Sequence, residues 1–126
     1  MSKQESSVLQ GIDTVIVRVS DVEKSKVWYQ EKLGLAPLWE DPTAKLVVLD
    51  TLGPTSLTLW QTGQAITNNR DTASYPIFRT QDAAAARAAL LAKGVATGEV
   101  MHDDPVNYFF FYDPDGNVME ACQVHG

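Results

Sequence analysis

Four groups of side chains in this sequence are equipped for chemistry. Arg18 and Arg79 lie about 60 residues apart, each near the end of a strand-like run, IDTVIVRV and IFRT. A guanidinium pair suits a carboxylate or phosphate, because its planar fork donates parallel hydrogen bonds. Strand-end arginines also snorkel to the rim and pair with acidic neighbours, and both readings stand at this point. His102, Asp103 and Asp104 are metal-type donors, but they stand side by side before Pro105, which favours a solvated loop. Glu120 is the carboxylate of the otherwise apolar closing run VMEAC. A charge there must be paired, or its pKa rises. Cys122 is the only cysteine and reads as a buried, inert thiol. No unambiguous nucleophile, acid–base pair or phosphate loop accompanies them.

The elements that position these groups are read from periodicity. Ile12–Val19 alternates, with Val15, Val17 and Val19 on one face and Thr14, Ile16 and Arg18 on the other. Ser20-Asp21 offers an N-cap for a helix over 22–33 whose apolar residues Val22, Val27, Trp28 and Leu33 recur at mostly helical spacing, and Gly34 ends it. Weak strand character at 38–40 is followed by strands at 45–49 and 56–61, in which Leu57 and Leu59 oppose Ser56, Thr58 and Trp60. Residues 62–74 are the longest polar connection. The order then recurs: a strand at 77–80, Gln81-Asp82 before an alanine-rich helix at 83–93, Gly94, a weak strand at 95–100, an aromatic strand at 107–112, the Asp113-Pro114-Asp115-Gly116 turn, and a strand at 118–122. Asp21 and Asp82, and Gly34 and Gly94, repeat about 60 residues apart, so each half reads β-α-β-β-β. Two unrelated αβ segments in one α+β domain is the alternative.

Bulk properties narrow the function classes. The chain has 126 residues, 44% of them hydrophobic, which supports one domain with a packed core. Its net charge of −6 argues against a nucleic-acid or anionic-membrane surface. No window approaches the length of a membrane span, and residues 1–10 lack the apolar stretch of a signal peptide. A single cysteine makes a reducing, cytoplasmic setting the simpler expectation. His125 reads as exposed and incidental.

Two runs carry a family resemblance. VIVRVSDVEKSKVWYQEKLGL (15–35) resembles the opening of a vicinal oxygen chelate module, and FFFYDPDGNVMEACQ (109–123) resembles its closing hairpin. The superfamily includes glyoxalases, bleomycin-resistance proteins and extradiol dioxygenases. The resemblance implies an α+β fold of two tandem βαβββ modules forming a half-open, curled mixed sheet. Residues 1–10 would be a flexible lead-in and 11–124 a single domain, with module one at 11–61, a linker at 62–74 and module two at 75–124. It further implies a homodimer around a small-molecule cavity.

Metal-dependent relatives place four ligands in the cup, and the matching positions here are Thr14, Thr58, Tyr75 and Glu120. Hydroxyls are poor ligands, and a tyrosine must first lose a proton from a pKa of about 10. No metal or other cofactor is therefore expected; if one is found, Glu120 and His102 are the donors to examine. By alternation Thr14, Ile16, Arg18, Thr58, Trp60, Tyr75, Ile77, Arg79 and Glu120 face inward. Thr14, Arg18, Thr58, Trp60, Tyr75, Arg79 and Glu120 are then the candidate ligand-binding residues, with Trp60 and Tyr75 as an aromatic wall. Glu120 is the candidate general base, the partner of a cationic ligand group, or the partner of one of the arginines. The expected function is metal-free binding of a small molecule. The alternatives are a metal-dependent lyase, isomerase or dioxygenase, and an accessory module without ligand.

Overall fold

The computed structural model describes residues 8–124. Valines alternate along β1 (Thr14–Val19), so one face of the strand is dry: Val17 and Val19 are buried while Ile16 and Arg18 are exposed. Asp21 then caps α1 (Val22–Leu33) by accepting from the amides of Glu23 and Lys24, and Gly34 closes it with a left-handed φ of 74°. Strands β2 (Pro37–Asp41), β3 (Leu46–Leu49) and β4 (Ser56–Gln61) complete the first unit. The second repeats it with β5 (Ile77–Arg79), α2 (Ala83–Ala92), β6 (Met101–Asp103), β7 (Val106–Tyr112) and β8 (Val118–Val124).

Each unit forms a four-stranded sheet of one topology, β1-β4-β3-β2 and β5-β8-β7-β6. In each, the first strand runs parallel to the last, which the α-helical crossover requires, and the remaining pairs are antiparallel. The architecture is α+β, two βαβββ modules with open sheets. One paired device fixes each helix on its sheet. Gln61, at the end of β4, accepts from the Val22 amide at 3.0 Å, and Gln123 on β8 accepts from the Ala83 amide at 2.8 Å. Two donors that a helix start would otherwise leave unsatisfied are thus answered from the strand beneath.

The helices cover one face of the sheets and leave the other open. Leu49, Leu57, Leu59, Phe109 and Met119 fill the space beneath the helices at under 2% exposure. The α1 stripe differs from the expected one: Val22, Ser25 and Tyr29 are buried, whereas Val27 is half exposed and points outward. On α2 the inner line is Ala83, Ala86 and Leu90. The expected strand at 95–100 is reduced to a single bridge between Thr97 and Phe111, and the pairing strand is Met101–Asp103. This corrects the reading of His102 and Asp103 as loop residues: they form an exposed edge strand whose polar side chains suit an unpaired sheet margin.

The modules are joined through the Asp113–Asn117 turn. Asp113 accepts from the Asp115 and Asn117 amides, from Asn117 Nδ2 and from the Tyr29 hydroxyl of α1 at 2.6 Å. Asn117 Nδ2 also donates to the Arg18 carbonyl of β1 at 2.9 Å, and the Ser20 amide donates to Asp115.

Candidate functional site

Strand register places the open-face residues on two grids. In the first sheet Ile16, Thr58, Val48 and Trp39 form one row, and Arg18, Trp60, Leu46 and Asp41 the next. In the second, Ile77, Glu120 and Phe110 form one row, and Arg79, Cys122, Tyr108 and Met101 the next. Thr14, Arg18, Thr58, Trp60, Arg79 and Glu120 thus all fall on strand faces opposite the helices. Tyr75 precedes β5 and packs edge-on against Phe110, with ring centroids 5.9 Å apart.

The first grid satisfies itself. Thr14 Oγ1 donates to the Ser56 carbonyl at 3.1 Å and, its one proton used there, accepts from Thr58 Oγ1 at 2.8 Å. Thr58 is 6% exposed. Arg18 donates from Nε to the Trp60 carbonyl and from Nη2 to the Gln61 carbonyl, and its guanidinium lies 5.2 Å from the Trp60 ring centroid. Its partners are therefore main-chain carbonyls at the end of the parallel ladder, not the acidic neighbours expected on the rim. Trp60 donates its indole N–H to the Ala44 carbonyl.

The second grid does not. Glu120 is 8% exposed, and among the described residues its carboxylate has no hydrogen bond or ion pair. Burial pushes its carboxyl above the ordinary value. Neither Arg18 nor Arg79 pairs with it, which removes that reading of Glu120. Arg79 is exposed and makes no ion pair among the described residues. The aromatic wall is also different from the expected one. Tyr75 groups with Phe110 and, through it, Tyr108, whose ring stands edge-on to Phe110 at 5.9 Å, while Trp60 belongs to the other sheet. Arg70, from the 62–74 connection, lies over the Phe110 ring at 4.7 Å.

Two cavities run along the seam between the β1 and β5 margins, and both border Val15 and Pro76. One, about 380 Å³ and open to solvent, is lined by Ile16, Arg18, Thr62 and residues 64–68. The other, about 390 Å³, reaches Tyr75, Ile77 and Arg79. These volumes suit a small organic molecule.

The four positions matching the family's metal ligands do not fit a metal. Thr14 and Thr58 are engaged with each other, Tyr75 is a ring partner of Phe110, and only Glu120 offers a free anionic oxygen. No group of three His, Cys, Asp or Glu among the described residues could hold a metal ion. His102 does not supply the missing donor: it is exposed on β6, two strands from β8, and its Nδ1 pairs with Asn107 Oδ1 at 2.9 Å. His125 lies outside the described residues.

Sequence reasoning missed Phe110, Tyr108 and Arg70. The first two were legible as alternate positions of the 107–112 strand, whose other residues Phe109 and Phe111 enter the core. Arg70 sits in an irregular segment and carried no such signal. No helix is long and apolar enough to cross a membrane.

Comparison with known proteins agrees with this architecture. Among curated proteins no sequence match is found. The chain is similar to an antibiotic-binding protein from Streptomyces sp. CB03234, at 27% identity and a TM-score of 0.74 over 94% of this chain and 98% of that one. It is similar also to a glyoxalase/bleomycin resistance protein from the same strain, at 29% identity and a TM-score of 0.72 over 90% of this chain and 100% of that one. A glyoxalase family protein from Bacillus anthracis, 20% identical over 94% of this chain and 98% of that one, shares the fold with a TM-score of 0.75. The model of the Glyoxalase/Bleomycin resistance protein/Dioxygenase superfamily matches residues 11–121, and the chain belongs to that superfamily.

Proposed function

We propose that this protein binds a small organic molecule on the open face of its sheets without a metal ion. The observation that carries the reading is Glu120: a largely buried residue whose carboxylate is unpartnered among the described residues, beside the ring cluster Tyr75, Phe110 and Tyr108, at a position where metal-dependent relatives need a full ligand set. Thr14, Arg18, Thr58, Trp60, Tyr75, Arg79 and Glu120 are the binding residues of this reading, extended by Phe110. The similarity to an antibiotic-binding protein supports a sequestering role. In this reading the molecule works in the cytoplasm as a homodimer, which would cover the exposed Leu38 and Trp39 of β2 and Met101 of β6.

Elemental analysis of protein purified without chelator, with a thermal-shift series in zinc, nickel, manganese and iron(II), tests it. A micromolar site at millimolar metal raises stability by about 4 kcal/mol. The expected result is no bound metal and no shift; stoichiometric metal overturns the reading. A second reading rests on the raised Glu120 carboxyl, which suits a general base for proton transfer. It predicts that a bound ligand is chemically altered on incubation, whereas sequestration predicts that it is recovered intact.

A further inference from the structure

The geometry points to an organic cation as the ligand, its positive centre at Glu120 and its apolar body against Phe110 and Tyr75. This deepens the binding-protein reading and rests on it. Two acidic residues in the described chain are largely buried, and their carboxylates are treated oppositely. Asp113, 6% exposed, accepts four hydrogen bonds, whereas Glu120, 8% exposed, accepts none. A buried charge without a partner is costly, so an incoming positive group recovers more there than anywhere on the wet surface. Arg79, in the next row of the open face, is exposed, so its attraction for an anion is screened by water.

The rings select the kind of cation. Phe110 is the ladder neighbour of Glu120, and Tyr75 and Tyr108 both meet it edge-on, at interplanar angles of 74° and 83°. Aromatic faces attract soft, weakly hydrated cations. The chain itself already places one there. The Arg70 guanidinium lies 4.7 Å over Phe110, and it makes no hydrogen bond or ion pair among the described residues. It is therefore held by the ring alone, an internal occupant that a ligand with a better reach to Glu120 displaces. A lone carboxylate among rings lacks the donor set of a metal site, which leaves an organic cation.

Three flat dyes of similar size test this by fluorescence titration of the full chain at neutral pH: proflavine as the cation, acridine as the neutral form and anthracenecarboxylate as the anion. Proflavine is expected to bind about tenfold more tightly than either, the scale of one charge-assisted contact. In Glu120→Gln that preference collapses; the substitution is isosteric at an unpartnered site, and an unchanged or raised melting temperature verifies the fold. Arg70→Ala, on an exposed segment, tightens proflavine about threefold by removing the internal occupant. Equal affinity for the three dyes, or a preference that survives Glu120→Gln, overturns the proposal and leaves the binding-protein reading intact. Failure of all three dyes to bind also overturns it, and that reading falls as well only if the purified protein carries stoichiometric metal.

Discussion

Thr58 and Glu120 occupy equivalent places on β4 and β8, the one beside Ile16, the other beside Ile77. Their fates differ. Thr58 gives its proton to Thr14, and Arg18 spends two donors on carbonyls of its own sheet. Glu120 and Arg79 have no such partners among the described residues. One module has closed its polar face on itself; the other presents a charge of each sign to whatever arrives. The duplicated frame thus separates two tasks that compete within a single module, because a satisfied polar network rigidifies a sheet and an unsatisfied one is what a ligand can improve.

That contrast can be broken most severely at the join between the modules. Asp113→Ala removes a buried acceptor of four hydrogen bonds and is expected to cost about 3 kcal/mol. Tyr29→Phe deletes the one bond contributed by the first module and should cost about 1–2 kcal/mol. Chemical denaturation of both variants measures the difference. A Tyr29→Phe cost equal to that of Asp113→Ala would mean that the turn matters only as a bridge.

The next test sets the two equivalent positions against each other. Thr58→Val breaks the Thr14 pair and should destabilise by about 1 kcal/mol. Glu120→Gln should act oppositely at neutral pH, raising the melting temperature by a few degrees. Burial lifts the folded carboxyl above its unfolded value, so the folded state favours the protonated form. Its stability contribution is complete below the unfolded pKa and is lost as pH rises through the folded one. The advantage of Glu120→Gln should therefore be largest at neutral pH and fade under acid conditions, and melting curves across that range check the sign. The smallest effect concerns the second module alone. Thr97 Oγ1 is buried without a hydrogen-bond partner, so Thr97→Val should be neutral or stabilise by up to about 1 kcal/mol in denaturant titration.

How far these features were legible follows from their range. The two-module frame was visible because its signals are local: alternating valines, an aspartate before each helix and a glycine after it. The open-face residues followed from alternation once the strands were placed. The paired Gln61 and Gln123 were not visible, since their role appears only when a strand end meets a helix start about 40 residues away in sequence. Tyr29 and Asp113 lie further apart still. The strand at 101–103 was misplaced because tertiary pairing, not propensity, makes MHD extended. Arg18 illustrates the limit most directly, because no side-chain pattern encodes a bond to a main-chain carbonyl.

Asn117 holds the 62–74 connection as well as the module join: its Oδ1 accepts from Asn68 Nδ2 at 2.8 Å while its Nδ2 serves Arg18 and Asp113. The connection can let go of Asn117 without disturbing the other two bonds. Beyond Thr62, whose amide is bonded to the Val19 carbonyl, this contact and the ring contact of Arg70 are exposed, so lifting the stretch around Asn68 and Arg70 exchanges both for water. A guest would then enter on the timescale of loop motion, nanoseconds to microseconds, with no need for the modules to part. Residence time, set by how well the segment settles back over the guest, would distinguish one bound molecule from another more than speed of capture does.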